Sequence, residues 1–168
     1  DSVSREEGEL CLKIQKIIES MGAETIVDRA GPKAGSDTGN LIAKFKGNTP
    51  RPPLLLNAHM DTVEPGRGVR PVLKDGKFTS DGETILGADC KSSIAILLEV
   101  SRVLQEDNPP HGPLEMVFTV CEEIGLLGAK HLDFDLLSSK IGYCIDASDV
   151  DGIIVQAPNA NRLEFKVF

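Results

Sequence analysis

The pattern of apolar residues along the chain predicts strands that alternate with helices. Continuous apolar runs at Leu54–Ala58, Leu114–Val120 and Ile141–Ile145 predict strands, and the three leucines of the first run indicate burial on both faces. Apolar residues at helical spacing over residues 10–21 and 90–104 predict two amphipathic helices. Because strands and helices alternate, we expect an α/β fold in which many neighbouring strands of the sheet are parallel.

Shorter patterns add elements around this framework. Ser4 and Glu7 have the spacing of a capping box before the first helix. An Asp-Gly turn predicts a hairpin over residues 72–78, and the Gly-rich and Ser-rich stretch 31–39 predicts a loop. A short helix is predicted at Leu127–Leu132. The remaining predicted strands are Thr25–Val27, Leu41–Phe45, Gly152–Val155 and Leu163–Phe168.

Composition and charge restrict the class of protein. A chain of 168 residues with 40% apolar and 26% charged residues is long enough for one domain with a substantial core. The formal net charge of -8 argues against nucleic acid and membrane surfaces as partners, and no apolar run approaches the length of a membrane span. The four cysteines lie far apart without a CxxC pair, so we expect reduced thiols and a cytoplasmic location.

A histidine and several acidic residues follow the predicted strands at the points where those strands end. The carboxyl ends of parallel strands meet at one edge of an α/β sheet, where ligands bind. Taken singly, each residue has a structural explanation: a histidine tied to a turn, an N-cap aspartate at Asp89, and solvated charges at Glu122 and Glu123. Their expected convergence makes them site candidates: His59, Asp61, Asp89, Glu122, Glu123 and Asp146.

These residue types favour a metal centre. One imidazole and several carboxylates, without a thiolate, suit zinc, cobalt or manganese at a hydrolytic site. Four or more acids that share a crevice repel one another unless cations lie between them, and two metals bridged by one carboxylate would relieve that repulsion. The two-residue spacing also lets the Asp61 carboxylate hold one ring nitrogen of His59 while the other faces a metal.

Four motifs occur together along the chain: Ala58–Val63, Gly87–Lys91, Cys121–Gly125 and Ile145-Asp146. In these motifs and their order, the chain resembles the family of dinuclear zinc exopeptidases and deacylases that includes peptidase T, carboxypeptidase G, acetylornithine deacetylase and aminoacylase. The resemblance spans nearly the whole chain. Residues 81–87 and 157–161 are most similar to the peptidase T branch.

The resemblance implies a zinc-binding role for four of the candidates. His59 and Asp146 would bind one ion, Glu123 would bind a second ion, and Asp89 would bridge the two. Asp61 would orient the imidazole of His59 without binding metal itself. The implied cofactor is therefore a pair of zinc ions, with cobalt or manganese as substitutes.

The resemblance also implies a fold and a reaction. The implied fold is a three-layer αβα domain with a mixed, largely parallel central sheet, here a truncated zinc exopeptidase-like catalytic domain. Glu122 would act as general base, taking a proton from the attacking water and passing it to the leaving amine. The reaction would be hydrolysis of an amide bond in short peptides, as in a tripeptide aminopeptidase.

The chain departs from the family pattern beside and beyond these motifs. Cys90 stands where an acid or methionine is common, and Ser92 and Ser93 stand where glycine or alanine is usual. The second zinc of the family needs another histidine from a downstream segment, and neither His111 nor His131 matches that motif.

These departures suggest an amino-terminal piece of a longer enzyme. Residues 1–157 would belong to the catalytic domain, and residues 158–168 would begin an inserted lid domain that contributes substrate contacts and a homodimer surface. We expect the piece alone to be inactive.

Three alternatives remain open from the sequence. The nearest is hydrolysis of N-acyl amino acids, which uses the same carbonyl chemistry. The second is a metal-binding or regulatory domain without catalysis. The third is a flavodoxin-like α/β domain whose acids lie scattered in space.

Overall fold

A five-stranded mixed sheet forms the centre of the fold. The computed structural model describes residues 1–147 and 151–156. Its strands are β1 (Glu24–Val27), β2 (Leu41–Phe45), β3 (Leu54–His59), β4 (Pro71–Lys74), β5 (Lys77–Ser80), β6 (Leu114–Thr119) and β7 (Ile141–Cys144). The central sheet has the order β1-β2-β6-β3-β7, and β4 and β5 form a separate hairpin. β3 is parallel to both β6 and β7, whereas β2 is antiparallel to β1 and β6.

Two longer helices pack on one face of this sheet. The helices are α1 (Gly8–Ser20), α2 (Gly31–Ala34), α3 (Ala88–Asp107) and α4 (Leu127–Lys130), with a 3₁₀ turn at Phe134–Leu136. α1 contacts β2, α3 contacts β3, and the two helices contact each other, so they share a face. None of the helices in the described part of the chain combines the length and apolar character needed to cross a bilayer.

The core lies between these two helices and the sheet. Ala43, Met116 and Leu56 lie side by side on three neighbouring strands, so their side chains point to the same face. Ile14 of α1 and Leu97 of α3 pack against that face and are buried. Burial of each large apolar side chain stabilises the fold by about 1.5–3 kcal/mol.

The opposite face carries a polar contact that fixes the chain before β7. Lys44 and Glu115 are neighbours across β2 and β6, with Nζ and Oε1 3.3 Å apart. The Lys44 ammonium donates to the Leu136 carbonyl, and Glu115 accepts hydrogen bonds from Ser138 and Ser139. The segment that follows α4 therefore covers this face, and the sheet lies between two layers as predicted.

The predicted α/β class and mixed sheet are confirmed, with one difference in pairing and one in burial. Two of the four strand pairings in the described sheet are parallel, and they are the two that involve β3. Leu54, Leu55 and Leu56 are half-buried rather than fully buried. The reason is that β7, beside them, is an exposed edge strand.

Other predictions near the termini and in the loop were wrong or remain untested. Gly152–Val155 forms no strand, and the side chains of Ile153, Ile154 and Val155 are at least 75% exposed, so this apolar run is not buried in the sheet. The loop over residues 31–39 contains α2, which the Pro at its first turn helps to begin. The predicted strand Leu163–Phe168, the segment 157–161 and the boundary at residue 158 lie outside the described residues.

The predicted capping box was also wrong. α1 begins at Gly8, and neither Ser4 nor Glu7 caps it with a side chain. Instead, Asp37 Oδ1 accepts the hydrogen bond from the Gly8 amide. Ser4 and Glu7 bind elsewhere, beside the residues that follow β3 and β6.

Candidate metal centre

The sheet brings three predicted site segments to one edge. β3, β6 and β7 are parallel and adjacent, so the residues that follow them emerge on the same side. α3 begins at the same edge, where Asp89 and Cys90 have non-helical dihedral angles and are joined by a cis peptide bond. The regular helix starts only after these two residues, which leaves the Asp89 side chain 75% exposed beside His59.

The imidazole of His59 is the centre of this cluster. Its Nε2 atom lies 2.9 Å from Asp89 Oδ1, 3.7 Å from Asp146 Oδ1 and 4.0 Å from Glu122 Oε2. Ligand atoms of His59, Glu122 and Glu123 lie within 4.8 Å of one another, as do those of His59, Asp89 and Asp146. Five of the six predicted residues therefore belong to two donor groups that share His59. An open cleft of about 300 Å³ lies beside Asp89 and Asp146.

The other ring nitrogen of His59 is held from behind. Nδ1 lies 2.9 Å from the main-chain oxygen of Asp61 and 3.4 Å from its carboxylate oxygen Oδ1. The nearer partner of the ring is thus the Asp61 main chain, with the predicted carboxylate contact longer. Burial lowers the pKa of His59, but hydrogen bonds to Asp61 and Asp89 and the charge of Asp146 outweigh burial and raise it to about 9.

The Asp61 carboxylate holds the acidic turn that follows β6. Its Oδ1 accepts from the Glu122 amide at 2.9 Å, and its Oδ2 accepts from the Glu123 amide at 3.2 Å and the Ser4 hydroxyl at 2.6 Å. Burial raises the pKa of Asp61, but bonds from His59, Ser4 and the two amides lower it below its ordinary value. Asp61 is thus a fully paired carboxylate.

The carboxyl groups that face His59 have pKa values shifted in the opposite direction from that of Asp61. Burial, together with the charges of neighbouring acids, raises the pKa of Glu122, Glu123 and Asp146 above their ordinary values, although His59 opposes the shift. Among the described residues, the ion pairs formed by Asp89, Glu122 and Asp146 all involve His59. One imidazole cannot balance four acids, so this edge lacks positive charge.

A divalent metal fits this donor set. Carboxylate oxygens and an imidazole nitrogen converge within ligand distance, and cations placed among them would remove the repulsion that raises their pKa values. Cys90 lies in the same group, but burial raises the pKa of its thiol to about 11 and its Sγ lies 3.4 Å from the Ile145 carbonyl oxygen. Cys90 therefore acts as a hydrogen-bond donor that fixes the backbone before Asp146.

The remaining histidines lie outside the donor groups that contain His59. His111 is in the loop before β6, where its Nδ1 lies 2.8 Å from the Gly112 oxygen, and His131 follows α4. Within the described residues, neither belongs to a group of donor atoms around His59. The flavodoxin-like alternative with scattered acids is excluded, because the four motifs meet in space.

Sequence reasoning did not identify the residues that support the acidic turn. Ser4, Glu7 and Asn40 all bind its neighbourhood from distant parts of the chain. The spacing of Ser4 and Glu7 was noticed in the sequence, but it was interpreted as a capping box for the first helix. Asn40 gave no signal, because an asparagine before a strand is typical of a turn.

Comparison with known proteins gives this arrangement a family context. The profile of Peptidase family M28 matches residues 40–150. The chain is 38% identical over 169 residues to the uncharacterized protein YqjE of Bacillus subtilis (strain 168), and the match covers 100% of this chain and 46% of that protein.

Two solved structures superpose closely on the described fold. One is the aminopeptidase PepT from Bacillus cereus ATCC 10987, with a TM-score of 0.86 and 41% identity. The other is a tripeptidase from Staphylococcus aureus subsp. aureus Mu50, with a TM-score of 0.86 and 39% identity. Each match covers 89% of this chain and 40% of the solved chain.

These matches confirm two predictions drawn from the motifs. The fold is that of the catalytic domain of zinc exopeptidases, and the resemblance to the peptidase T branch holds. The chain spans less than half the length of YqjE and of both solved structures.

Proposed function

We propose, because this chain belongs to peptidase family M28, that it forms part of a metal-dependent active site that hydrolyses amide bonds in short peptides. The substrate class follows from two similar structures, one an aminopeptidase and the other a tripeptidase. The observation that carries the proposal is the convergence of Asp89, Asp146 and Glu122 on the Nε2 atom of His59. A structural histidine does not need three carboxylates.

The proposed ligand set is the one that the family resemblance implies, and it draws on the two donor groups that share His59. His59 and Asp146 would hold one zinc ion, Glu123 would hold a second, and Asp89 would bridge them. Asp89 suits the bridging role because its side chain is exposed in the cleft and approaches His59 most closely. Bound zinc would polarise the scissile carbonyl and make water a better nucleophile. Cobalt or manganese would suit the same donors.

Glu122 is the proposed general base. Its carboxylate lies 4.0 Å from His59 Nε2, and its main-chain amide is fixed by Asp61. A carboxylate beside the metal centre can accept a proton from the attacking water and return it to the leaving group. Glu122 takes the proton of the attacking water and then gives it to the leaving amine.

The 168 residues alone are proposed to be inactive. Among the described residues, His59 is the one histidine in the donor groups, whereas the family pattern requires a second histidine for the other zinc ion. Measurable zinc-dependent hydrolysis of a tripeptide by the purified chain would contradict this part of the proposal. The division at residues 157 and 158, a homodimer through a lid domain and a cytoplasmic location all stay predictions.

The metal site is tested by anomalous diffraction at the zinc edge on crystals of the chain soaked in zinc. We expect a peak among His59, Asp89 and Asp146. A control soak of the His59→Ala variant should give no peak there. Absence of a peak in the wild-type chain, with the three side chains in place, would contradict zinc binding by this segment alone.

The substrate class is tested in the full-length enzyme with a panel of tripeptides and N-acetyl amino acids. We expect faster hydrolysis of tripeptides, with release of the amino-terminal residue. Preferential hydrolysis of the acetylated amino acids would replace the peptidase assignment by a deacylase. Equal lack of turnover by the wild type and Glu122→Gln, with zinc bound to both, would favour a metal-binding domain without catalysis.

A further inference from the structure

The turn after β6 is held by side chains from three separate segments. Four consecutive main-chain amides each donate to a side-chain acceptor: Val120 to Asn40 Oδ1 (3.1 Å), Cys121 to Glu7 Oε1 (3.0 Å), Glu122 to Asp61 Oδ1 (2.9 Å) and Glu123 to Asp61 Oδ2 (3.2 Å). These acceptors therefore hold the amide groups of the turn, while its carbonyl oxygens accept from the amides of residues 125–128. Asp61 was predicted to belong to the site. Glu7 was not, and it lies more than a hundred residues from Cys121 in sequence.

The carboxyl group of Glu7 is committed to this turn. Glu7 is the N-cap residue of α1, yet its side chain does not cap that helix. The residue is fully buried. Oε1 accepts from the amides of Arg5 and Cys121, each at 3.0 Å, and Oε2 accepts from the Ser36 hydroxyl at 2.5 Å. The Cys121 thiol also donates to Oε1, at 3.4 Å. All four donors are neutral, and together they fix both oxygens.

Cys121 has a conformation that needs such support. Its φ angle is +52°, in the left-handed region that residues other than glycine rarely adopt. Cys121 is buried, so its amide has no access to water if the Glu7 oxygen moves away. Because this residue directly precedes Glu122 and Glu123, its conformation sets the direction in which both side chains leave the strand.

We propose that Glu7 is a positioning residue for the metal centre: its buried carboxyl group fixes the Cys121 amide and thereby orients Glu122 and Glu123 toward His59. The inference rests on the proposed function for the roles of the two glutamates. What it adds is that the orientation of Glu122 and Glu123 depends on the length of the Glu7 side chain. Ser4 supports the same turn indirectly, through Asp61 Oδ2.

Two substitutions separate position from charge. Glu7→Gln keeps the length of the side chain, so its Oε1 can still accept both amides while its amide group donates to Ser36. Glu7→Asp keeps the carboxylate but shortens the side chain by one methylene, which withdraws the acceptor from Cys121. An aspartate is also a good N-cap residue, so α1 itself should not suffer.

The first readout is amide hydrogen exchange in the metal-free chain. We expect faster exchange of the amides of Cys121, Glu122 and Glu123 in Glu7→Asp, and wild-type rates in Glu7→Gln. The second readout is titration with Co²⁺, followed by its visible absorption. Glu7→Asp should weaken Co²⁺ binding by about tenfold or more and change the spectrum, whereas Glu7→Gln should stay within about threefold.

A third readout, in the full-length enzyme, is the separation of kcat from KM. Glu7→Asp should lower kcat with little change in KM, because the substrate does not contact Glu7. The matched control is the same pair of substitutions at Glu115, another buried glutamate that accepts main-chain amides. The Glu115 variants should lose stability without changing Co²⁺ affinity or spectrum.

The outcomes are distinct. Equal exchange and equal Co²⁺ binding in the two Glu7 variants would overturn the proposal, as would a greater defect in Glu7→Gln than in Glu7→Asp. If the wild-type chain binds no Co²⁺, the metal site fails. The exchange rates of the three amides then still decide whether Glu7 holds the turn.

Discussion

The two ends of β6 both carry buried or half-buried glutamates, and they differ in the supply of hydrogen-bond donors. Near the amino end, Glu115 is 3% exposed and faces Lys44 together with the amides and hydroxyls of Ser138 and Ser139. Burial alone would raise the pKa of Glu115, but the bonds from these serines lower it to about 2. This end of the strand is a finished structural contact.

At the carboxyl end, the nearby main-chain donors bind Asp61 and not the carboxylates that face His59. The amides of Glu122 and Glu123 both donate to Asp61. Among the described residues, the side chains of these two glutamates accept no hydrogen bond from a main-chain amide. Burial and mutual repulsion then raise the pKa values of these two acids. The difference teaches that burial of acids does not by itself mark a binding site. A deficit of donors around them does.

The largest expected effect comes from removing the proposed base at the carboxyl end. For the peptide hydrolysis proposed above, Glu122→Gln should lower kcat by about 10²–10⁴-fold, because the amide cannot accept the proton of the attacking water. Metal content should stay the same, since Glu122 is not a proposed ligand. The measurement is steady-state hydrolysis of a tripeptide with zinc analysis of each sample. Glu115→Gln is the control, and an equal loss of kcat there would erase the contrast between the two ends.

The next effect concerns metal binding by the imidazole. His59→Ala should weaken zinc binding by about 100-fold or more, given that loss of even a supporting partner costs 10–100-fold. Zinc at about 100 times the wild-type dissociation constant should stabilise the wild-type chain by about 2.7 kcal/mol and the variant by about 0.4 kcal/mol or less. Thermal unfolding with and without zinc measures both quantities. The control is His111→Ala, and the same loss in that variant would contradict the assignment of the site.

Much of the fold was predictable because its strands have simple local signals. The runs around Leu54, Leu114 and Ile141 are apolar and end in polar residues, and their parallel pairing follows from the intervening helices. The edge position of β7 could not be read in this way, because exposure depends on what packs beside a strand. The exposure of all four β7 residues becomes evident only in the assembled sheet.

The site divides in the same manner. His59, Asp89, Glu122, Glu123 and Asp146 are predictable because each follows or begins an element at one edge of the sheet. Glu7 and Asn40 are not, because their contacts with Cys121 and Val120 join segments that are distant in sequence. Local rules assigned Glu7 to a helix cap, and tertiary contacts took precedence over that preference.

A moderate effect is expected at the amino end of β6. Glu115→Gln should lower the free energy of unfolding at neutral pH by about 2 kcal/mol, because a neutral amide cannot accept from all of the donors and loses the Lys44 contact. The measurement is urea denaturation of the metal-free chain. Zinc affinity should not change. A loss of zinc affinity in this variant would mean that the two ends of the strand are coupled.

The same substitution predicts a dependence on pH. The pKa of Glu115 is lowered from 4.5 to about 2 in the folded chain, so its stabilisation is complete above pH 4.5 and is lost as pH falls toward 2. The difference in unfolding free energy between the wild type and Glu115→Gln should therefore narrow below pH 4.5. A difference that stays constant from pH 6 to pH 3 would show that the carboxylate charge contributes nothing there.

The smallest expected effect comes from removing one of the two donors to the Ile145 carbonyl at the carboxyl end of the sheet. The hydroxyl of Ser93 and the thiol of Cys90 both donate to the Ile145 carbonyl, which precedes Asp146. Ser93→Ala should therefore cost about 1 kcal/mol of stability and change zinc affinity by less than about threefold, since Cys90 still holds that carbonyl.

The double variant Ser93→Ala/Cys90→Ala removes both donors and should weaken zinc binding by more than the sum of the single changes. Isothermal titration with zinc on the four members of this cycle measures the coupling. Additive effects would mean that the carbonyl before Asp146 needs neither donor, and that the position of Asp146 is set by β7 alone. A coupling would instead show that the Ile145 carbonyl, like the Glu115 carboxylate, is held by more than one donor. The donor deficit would then be confined to the side chains that face the metal.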